Sequence, residues 1–295
     1  MTDHVPFAEH VDHVVINVIE RLDAAAEAFS GLGFCLSPRG HHSLGSINHL
    51  IMFVGAYLEL IGIPANAEVV RAEIRDSPPG INGLVYADAN PEARCRALSA
   101  AGLRPAPPQT FSRPVATEDG ERPARFTSVR LPGDTFPAGR VYFCQHHTPE
   151  LVWREQWMRH PNGADRLKGL TIVCQDPEAD AHAHARVLQA TPSRVGAHWT
   201  LTTGDDPRDP RGSGPTLFRL WFIGERDYRE RFGTLGCRGS GRTSWFGAIH
   251  CQVASLERLG NLLATSTDTA IRWQLAGDAI WVSLPDFNTL LEFRE

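Results

Sequence analysis

The sequence has no CxxC pair among its six cysteines, no long apolar run and no block of like charge. Each absence removes a class of protein. Without paired cysteine spacing, a structural zinc site or a thioredoxin-like redox motif has no footing. Cys144, Cys174 and Cys251 sit in apolar, strand-like runs, where a reduced thiol behaves as a small hydrophobe. A membrane helix needs about 18 apolar residues. The nearest approach, residues 50–63, is interrupted by Gly55 and Glu59. The opening Met1-Thr2-Asp3-His4 lacks the basic-then-apolar pattern of a secretory signal, so a cytoplasmic location is the economical expectation. A net charge of -5 with scattered basic residues offers no footprint for nucleic acid or anionic lipid. There is no nucleophile elbow and no phosphate-binding glycine loop; Gly31-Leu32-Gly33 reads as a helix stop.

What is present is repetition. At 295 residues with 42% hydrophobic content, the chain suits two domains of ordinary size. His13-Val14-Val15-Ile16-Asn17-Val18 is a β-branched run fit for a buried strand. A helix follows with Leu22, Ala25, Ala26 and Phe29 on one face, stopped by Gly31 and Gly33. Further extended stretches are expected at residues 34–36, 48–54 and 57–63. The order recurs from Gly83, Gly169 and Ile249. Asn90-Pro91, Asp176-Pro177 and Ser255 supply helix starts of the cap-plus-proline or serine-cap kind. An offset of 237 takes His13 to His250, Glu20 to Glu257, Arg21 to Arg258 and Leu22 to Leu259. The expected organisation is therefore two units in residues 1–150, a linker at 151–166, and two units in 167–295. Two Pro/Gly/charge-rich stretches, 104–125 and 204–215, read as long surface loops.

The repeated strand–helix–three-strand unit resembles the vicinal oxygen chelate superfamily, which includes glyoxalase I, the bleomycin-resistance proteins and the extradiol dioxygenases. The residues that carry the likeness are Asp12-His13-Val14-Val15, Tyr57-Leu58-Glu59-Leu60-Ile61-Gly62, and the closing Pro285-Asp286-Phe287-Asn288-Thr289-Leu290-Leu291-Glu292-Phe293. The hairpin His41-His42-Ser43-Leu44-Gly45-Ser46-Ile47-Asn48 is similar to that of the glyoxalase-like group. The resemblance implies an α+β fold of four βαβββ units forming two glyoxalase-like domains. It also implies a cup whose floor holds a divalent metal (Zn, Ni, Fe or Mn) between first and fourth strands.

Tested against that expectation, unit one supplies His13 and Glu59, and unit four supplies His250 and Glu292. Units two and three have Gly83 and Gly169 at the first-strand ligand position. Two pairings are open. Sequential pairing gives half a site, His13 and Glu59, which His146 or Gln145 could complete. Exchanged pairing, unit one with unit four, assembles His13, Glu59, His250 and Glu292 as metal ligands. A histidine on an apolar strand is more often a satisfied core residue than a ligand. A carboxylate there is harder to dismiss, because unpaired burial is costly. Glu59 and Glu292 are the candidate proton carriers; His42, Asn48, Gln145 and His146 are the candidate substrate contacts. His182 and His184 read as solvated helix residues.

The leading expectation is a metal-dependent lyase, isomerase or dioxygenase acting on a small oxygen-rich metabolite, as a monomer or homodimer. The alternative is a metal-free protein of the bleomycin-resistance type, sequestering a small molecule between aromatic walls such as Trp153, Trp221 or Trp245.

Overall fold

The computed structural model describes residues 10–67, 71–203, 217–266, 268 and 270–295. Four units follow in order. The first comprises β1 (Val11–Ile19), α1 (Leu22–Gly31), β2 (Gly40–His41), β3 (Ile47–Met52) and β4 (Tyr57–Gly62), with a short α2 (Ala72–Arg75) after it. The second comprises β5 (Gly80–Ala87), α3 (Pro91–Ala100), β6 (Gln109–Thr117), β7 (Gly120–Arg130) and β8 (Arg140–His146). The third comprises β9 (Ala164–Cys174), α4 (Pro177–Leu188), β10 (Ser193–Val195), β11 (His198–Thr203) and β12 (Phe218–Ile223), followed by α5 (Glu225–Phe232). The fourth comprises β13 (Ser244–Val253), α6 (Leu256–Thr265), β14 (Arg272–Ala276), β15 (Ala279–Leu284) and β16 (Thr289–Arg294). The α+β architecture of four βαβββ units is thus as the repeat implies. No helix among the described residues is long and apolar enough to cross a membrane.

Helix starts follow local chemistry. Asn90 accepts from the Ala93 amide, Asp176 from the Ala179 amide and Ser255 from the Arg258 amide, each near 3.0 Å. Caps of this kind contribute about 1 kcal/mol each. Helix α1 has no side-chain cap; its entry residue Arg21 instead pairs with Asp286 of the fourth unit at 2.8 Å.

The strands form two eight-stranded sheets, ordered β2-β3-β4-β1-β5-β8-β7-β6 and β10-β11-β12-β9-β13-β16-β15-β14. Units one and two share the first sheet; units three and four share the second. The join in each is an antiparallel ladder between first strands, β1 with β5 and β9 with β13. The exchanged pairing of units one and four is therefore corrected. Strand β5 pairs directly with β1, as elements of consecutive units usually do. The end strands β2 and β6 of the first sheet meet, with the Ser43 amide donating to the Ser112 carbonyl at 2.8 Å. This sheet curls round on itself into a cup.

Three local expectations also change. Residues 34–36 lie outside the sheet: Phe34 turns into the core against Phe29, Phe53 and Phe293, and the Cys35 amide donates to His160 Nδ1. The supposed loop 104–125 contains the β6–β7 hairpin, whose tip is too exposed to show an apolar pattern. The 204–215 stretch lies outside the described residues.

His184 is not solvated. It is buried in α4, with ring centroids 4.3 Å from Phe136 and 5.3 Å from Phe222. Burial among these rings lowers its pKa from 6.5 to about 3. Between those values the unfolded chain takes up a proton that the folded chain refuses. Stability from this residue is therefore present above pH 6.5 and is lost as pH falls towards 3, at up to about 1.4 kcal/mol per pH unit. Urea unfolding at pH 7 and pH 4.5 should show a smaller drop for His184→Phe than for the wild type. Equal drops would refute the assignment.

Candidate functional site

The cup interior carries an apolar lining with polar groups set into it. Val15, Leu50, Met52, Tyr57, Ile61, Val85 and Phe126 pack as one buried cluster. Strand β5 adds no polar group to the small cavity around His13: Val85 faces His13 in the ladder, and a side chain at Gly83 would collide with Val15 at 2.9 Å. The chemistry comes from β1, β3, β4, β8 and the connecting segments.

Strand alternation would send Asp12 and His13 to opposite faces. A β-bulge prevents this. The β1–β5 register steps from Val11↔Tyr86 to His13↔Val85, so Asp12 is an extra residue opposite one position. Asp12 Oδ2 lies 2.7 Å from His13 Nδ1 and 3.0 Å from His146 Nε2. Burial alone would raise the Asp12 pKa, but the charge of His146 and hydrogen bonds from both imidazoles outweigh it and hold the carboxyl well below its ordinary value. An ionised Asp12 fixes the proton of His13 on Nδ1 and leaves the Nε2 lone pair for the cavity. Tyr142 Oη stands 3.4 Å from that nitrogen, and Tyr57 stacks on the ring with centroids 4.4 Å apart.

Glu59, on β4, faces His13 from the neighbouring parallel strand, Oε2 to Nε2 at 3.7 Å. Its other oxygen accepts from Asn48 Nδ2 at 2.7 Å and lies 4.0 Å from His42 Nε2. Burial raises the Glu59 pKa, yet His13, His42, the Asn48 amide and Arg71 together bring it below the usual value. Such a carboxylate is a good ligand and a weak base. Burial, with Arg113 and Arg71 nearby, lowers His42 to about 4 and keeps its ring neutral despite Glu59. The cavity these groups line measures about 30 Å³, room for an ion or water rather than a metabolite.

Strand β8 aims Tyr142, Cys144 and His146 to the same face, two residues apart. Gln145 points the other way, with Nε2 donating to the Ala89 carbonyl at 2.7 Å, so this candidate substrate contact does not reach the cup. His42, Asn48 and His146 do. Among the described residues, Asp12, Cys144 and His146 are the trio with ligand atoms within 4.8 Å of one another. Asp12 is already shared between two imidazoles, and burial beside Asp12 and Glu59 keeps the Cys144 thiol protonated.

His250 and Glu292 are not brought to this site; they stand side by side in the second sheet. There the expected four-ligand set is replaced by a closed network. His250 Nδ1 lies 3.1 Å from Glu292, and its Nε2 lies 2.8 Å from Thr171 Oγ1. Glu292 accepts from Arg231 Nη2 at 2.7 Å and Arg294 Nε at 2.8 Å. Guanidinium charge from α5 and β16 stands where a metal ion would be needed, and neither His250 nitrogen is free. Of the expected aromatic walls, Trp153 abuts Tyr57 and His146, while Trp221 and Trp245 belong to the second sheet.

Several site residues escape the repeat pattern. Asp12 depends on the bulge, and Arg113 lies in the hairpin read as a loop. Tyr142 shares the β8 phase of Cys144 and His146 and was visible from that spacing. Arg71, Arg113 and Arg130 also line the small cavity.

A family model described as a glyoxalase-like domain matches residues 11–188. Among solved structures, a hypothetical protein from Staphylococcus aureus aligns with a TM-score of 0.60 at 14% identity, covering 96% of this chain and 98% of that one. A variant of 4-hydroxymandelate synthase from Streptomyces coelicolor aligns at 0.52 and 10% identity, covering 97% and 92%. A xylose isomerase-like TIM barrel/4-hydroxyphenylpyruvate dioxygenase fusion protein aligns at 0.54 and 12% identity, covering 98% of this chain and 49% of that one. At these identities the likeness is one of fold. No curated protein matches the chain significantly.

The second-sheet network makes a clear prediction. The hydrogen bonds and charges of His250, Arg231 and Arg294 overcome burial and hold Glu292 down to about 2. Its folded pKa lies below the unfolded value, so its contribution is present above about pH 4.5 and is lost as pH falls towards 2. Glu292→Gln should destabilise the protein by roughly 2–3 kcal/mol at pH 7 and much less at pH 3. A cost that does not change with pH would show that the carboxylate charge is irrelevant.

Proposed function

From the premise that this chain belongs to the glyoxalase-like domain family, we propose a metal-dependent enzyme of the glyoxalase/dioxygenase type acting on a small oxygen-rich metabolite. The observation that carries this reading is His13 Nε2 facing Glu59 Oε2 at 3.7 Å in a buried cavity, with Asp12 behind the imidazole. A carboxylate on the far nitrogen is the usual orienting partner of a metal-bound histidine. His13 lies 3.7 Å and His42 4.0 Å from Glu59, and an imidazole–carboxylate pair of this kind suits an iron, manganese, nickel or zinc ion with open positions, although the three donor atoms do not all lie within 4.8 Å of one another. Bound there, such an ion supplies Lewis-acid polarisation of substrate oxygens.

The protein's own groups divide the remaining work. Asp12 holds His13 in one tautomer, and Asn48 holds Glu59 in place. The Tyr142 hydroxyl, kept neutral by burial, is a hydrogen-bond donor at the mouth of the same cavity. The Tyr57, Phe111 and Phe126 rings narrow access for bulk water. His146 is a further group suited to proton transfer: its Nε2 engages Asp12, and its buried Nδ1 has no protein partner.

One observation favours a second reading, a metal-free binding protein. Arg71, Arg113 and Arg130 line the cavity that Glu59 faces and add positive charge against any cation. Elemental analysis separates the two. About one equivalent of a transition metal should accompany the wild type and His250→Ala, and be lost in His13→Ala and Glu59→Gln. Loss in His250→Ala, or retention in His13→Ala, would sink the first-cup assignment. Loss in Cys144→Ala with retention in Glu59→Gln would move the ion to the Asp12–Cys144–His146 trio. No metal under any loading supports the binder.

A further inference from the structure

A cavity of about 470 Å³ adjoins the cup and shares Arg130 and Tyr142 with it. It is large enough for a small metabolite, which the 30 Å³ space is not. Its charge is unusual. Arg130 and Arg140 line it from β7 and β8, and Arg242 lines it from the second sheet's side. The acidic residues on its wall are already engaged: Glu73 takes Arg71 Nε and Nη2 at 2.8 and 2.6 Å, and Asp76 takes Arg75 at 2.7 Å.

The guanidiniums are also held in place. Arg140 Nε donates to Asn82 Oδ1 at 2.9 Å, while its buried Nη2 has no protein partner. Arg130 Nη1 donates to Gln109 Oε1 at 2.7 Å. In the adjoining cup, Arg113 is only 4% exposed and its Nη2 is likewise without a protein partner. Like charges gathered in a half-buried cavity repel one another, and the buried Arg140 Nη2 and Arg113 Nη2 are left without acceptors, a cost that a bound negative group would offset. Arg140, fixed at Nε with no protein acceptor on its buried Nη2, offers the fork that matches an oxyanion, and Arg130, held at Nη1, keeps its other nitrogens for the same role.

We propose that this cavity is the binding site for an oxyanion group, carboxylate or phosphate, of the ligand, clamped by Arg130 and Arg140. Tyr142 and Arg130 join the two spaces, so a ligand anchored there extends its other end towards His13 and Glu59. The substrate class is a small anionic metabolite with an oxygen-bearing tail. The position of that tail rests on the reading of the cup given above; the anion clamp does not.

The test uses the full chain after chelator treatment, so that it does not depend on metal. Inorganic phosphate and succinate are titrated at constant ionic strength, and binding is followed by calorimetry and by the shift in unfolding temperature. Saturable binding is expected for at least one probe, weakened tenfold or more in Arg140→Gln and in Arg130→Gln, and unchanged in the exposed Arg104→Gln. Binding of phosphate alone assigns a phosphoryl group, and binding of succinate alone or of both assigns a carboxylate-tolerant clamp. If Arg140→Gln does not fold, as judged by circular dichroism, Arg130→Gln decides. Failure of the wild type to bind either probe, or undiminished binding in the folded variants, overturns the proposal. The metal content measured separately is untouched by either result.

Discussion

The antiparallel ladder between β1 and β5 governs where chemistry can occur in this chain. By zipping unit two onto unit one it closes one cup from residues 11–146, and the matching β9–β13 ladder closes a second sheet from the rest. His13 and Glu59 are thereby placed in one sheet and His250 and Glu292 in the other, although their spacing matches. The same ladder contains the bulge at Asp12. A regular pairing would have turned this carboxylate away from the cup, leaving His13 without the anion that sets its tautomer.

The two His–Glu pairs show how little a residue pair means without its surroundings. Glu59 has His13, His42 and an Asn48 amide as its near partners, with the guanidiniums of Arg71, Arg113 and Arg130 lining the same cavity, and it retains an oxygen directed at His13. Glu292 meets Arg231 from α5 and Arg294 from its own strand, with His250 beside it and Thr171 on the far ring nitrogen. The second network is already neutralised and fully bonded. It therefore has a structural rather than a coordinating character, although an offset of 237 residues aligns His250 with His13.

The sequence made the architecture legible because the fold is built from local signals repeated four times: β-branched first strands, the Asn90, Asp176 and Ser255 caps, and glycine stops. Half of the site was legible for the same reason, since His13 and Glu59 lie on regular strands with readable alternation. What was hidden depends on tertiary events. The Asp12 bulge appears only in the pairing register, and the capture of Glu292 needs an arginine 61 residues away. The β6–β7 arm that delivers Arg113 has a solvated, proline-bearing tip resembling a loop, and His184 is buried by Phe136 of another unit. Gln145 failed for a simpler reason: it lies one residue out of phase with Cys144 and His146.

The arginines around Tyr142 and the carboxylate at Glu59 look contradictory only if each cavity is considered alone. A divalent ion beside Glu59 is disfavoured by Arg71, Arg113 and Arg130, and an isolated anion beside Arg140 leaves those same charges in excess over Glu59 and Glu73. Were both proposed occupants bound, the ion and the anion would neutralise the site from both ends across Tyr142 and Arg130, the residues common to both spaces. In a low-dielectric interior this mutual screening is worth more than either contact in water. On the proposed reading the two occupants would favour one another, a negatively charged ligand improving the environment that the His13–Glu59 pair offers a cation.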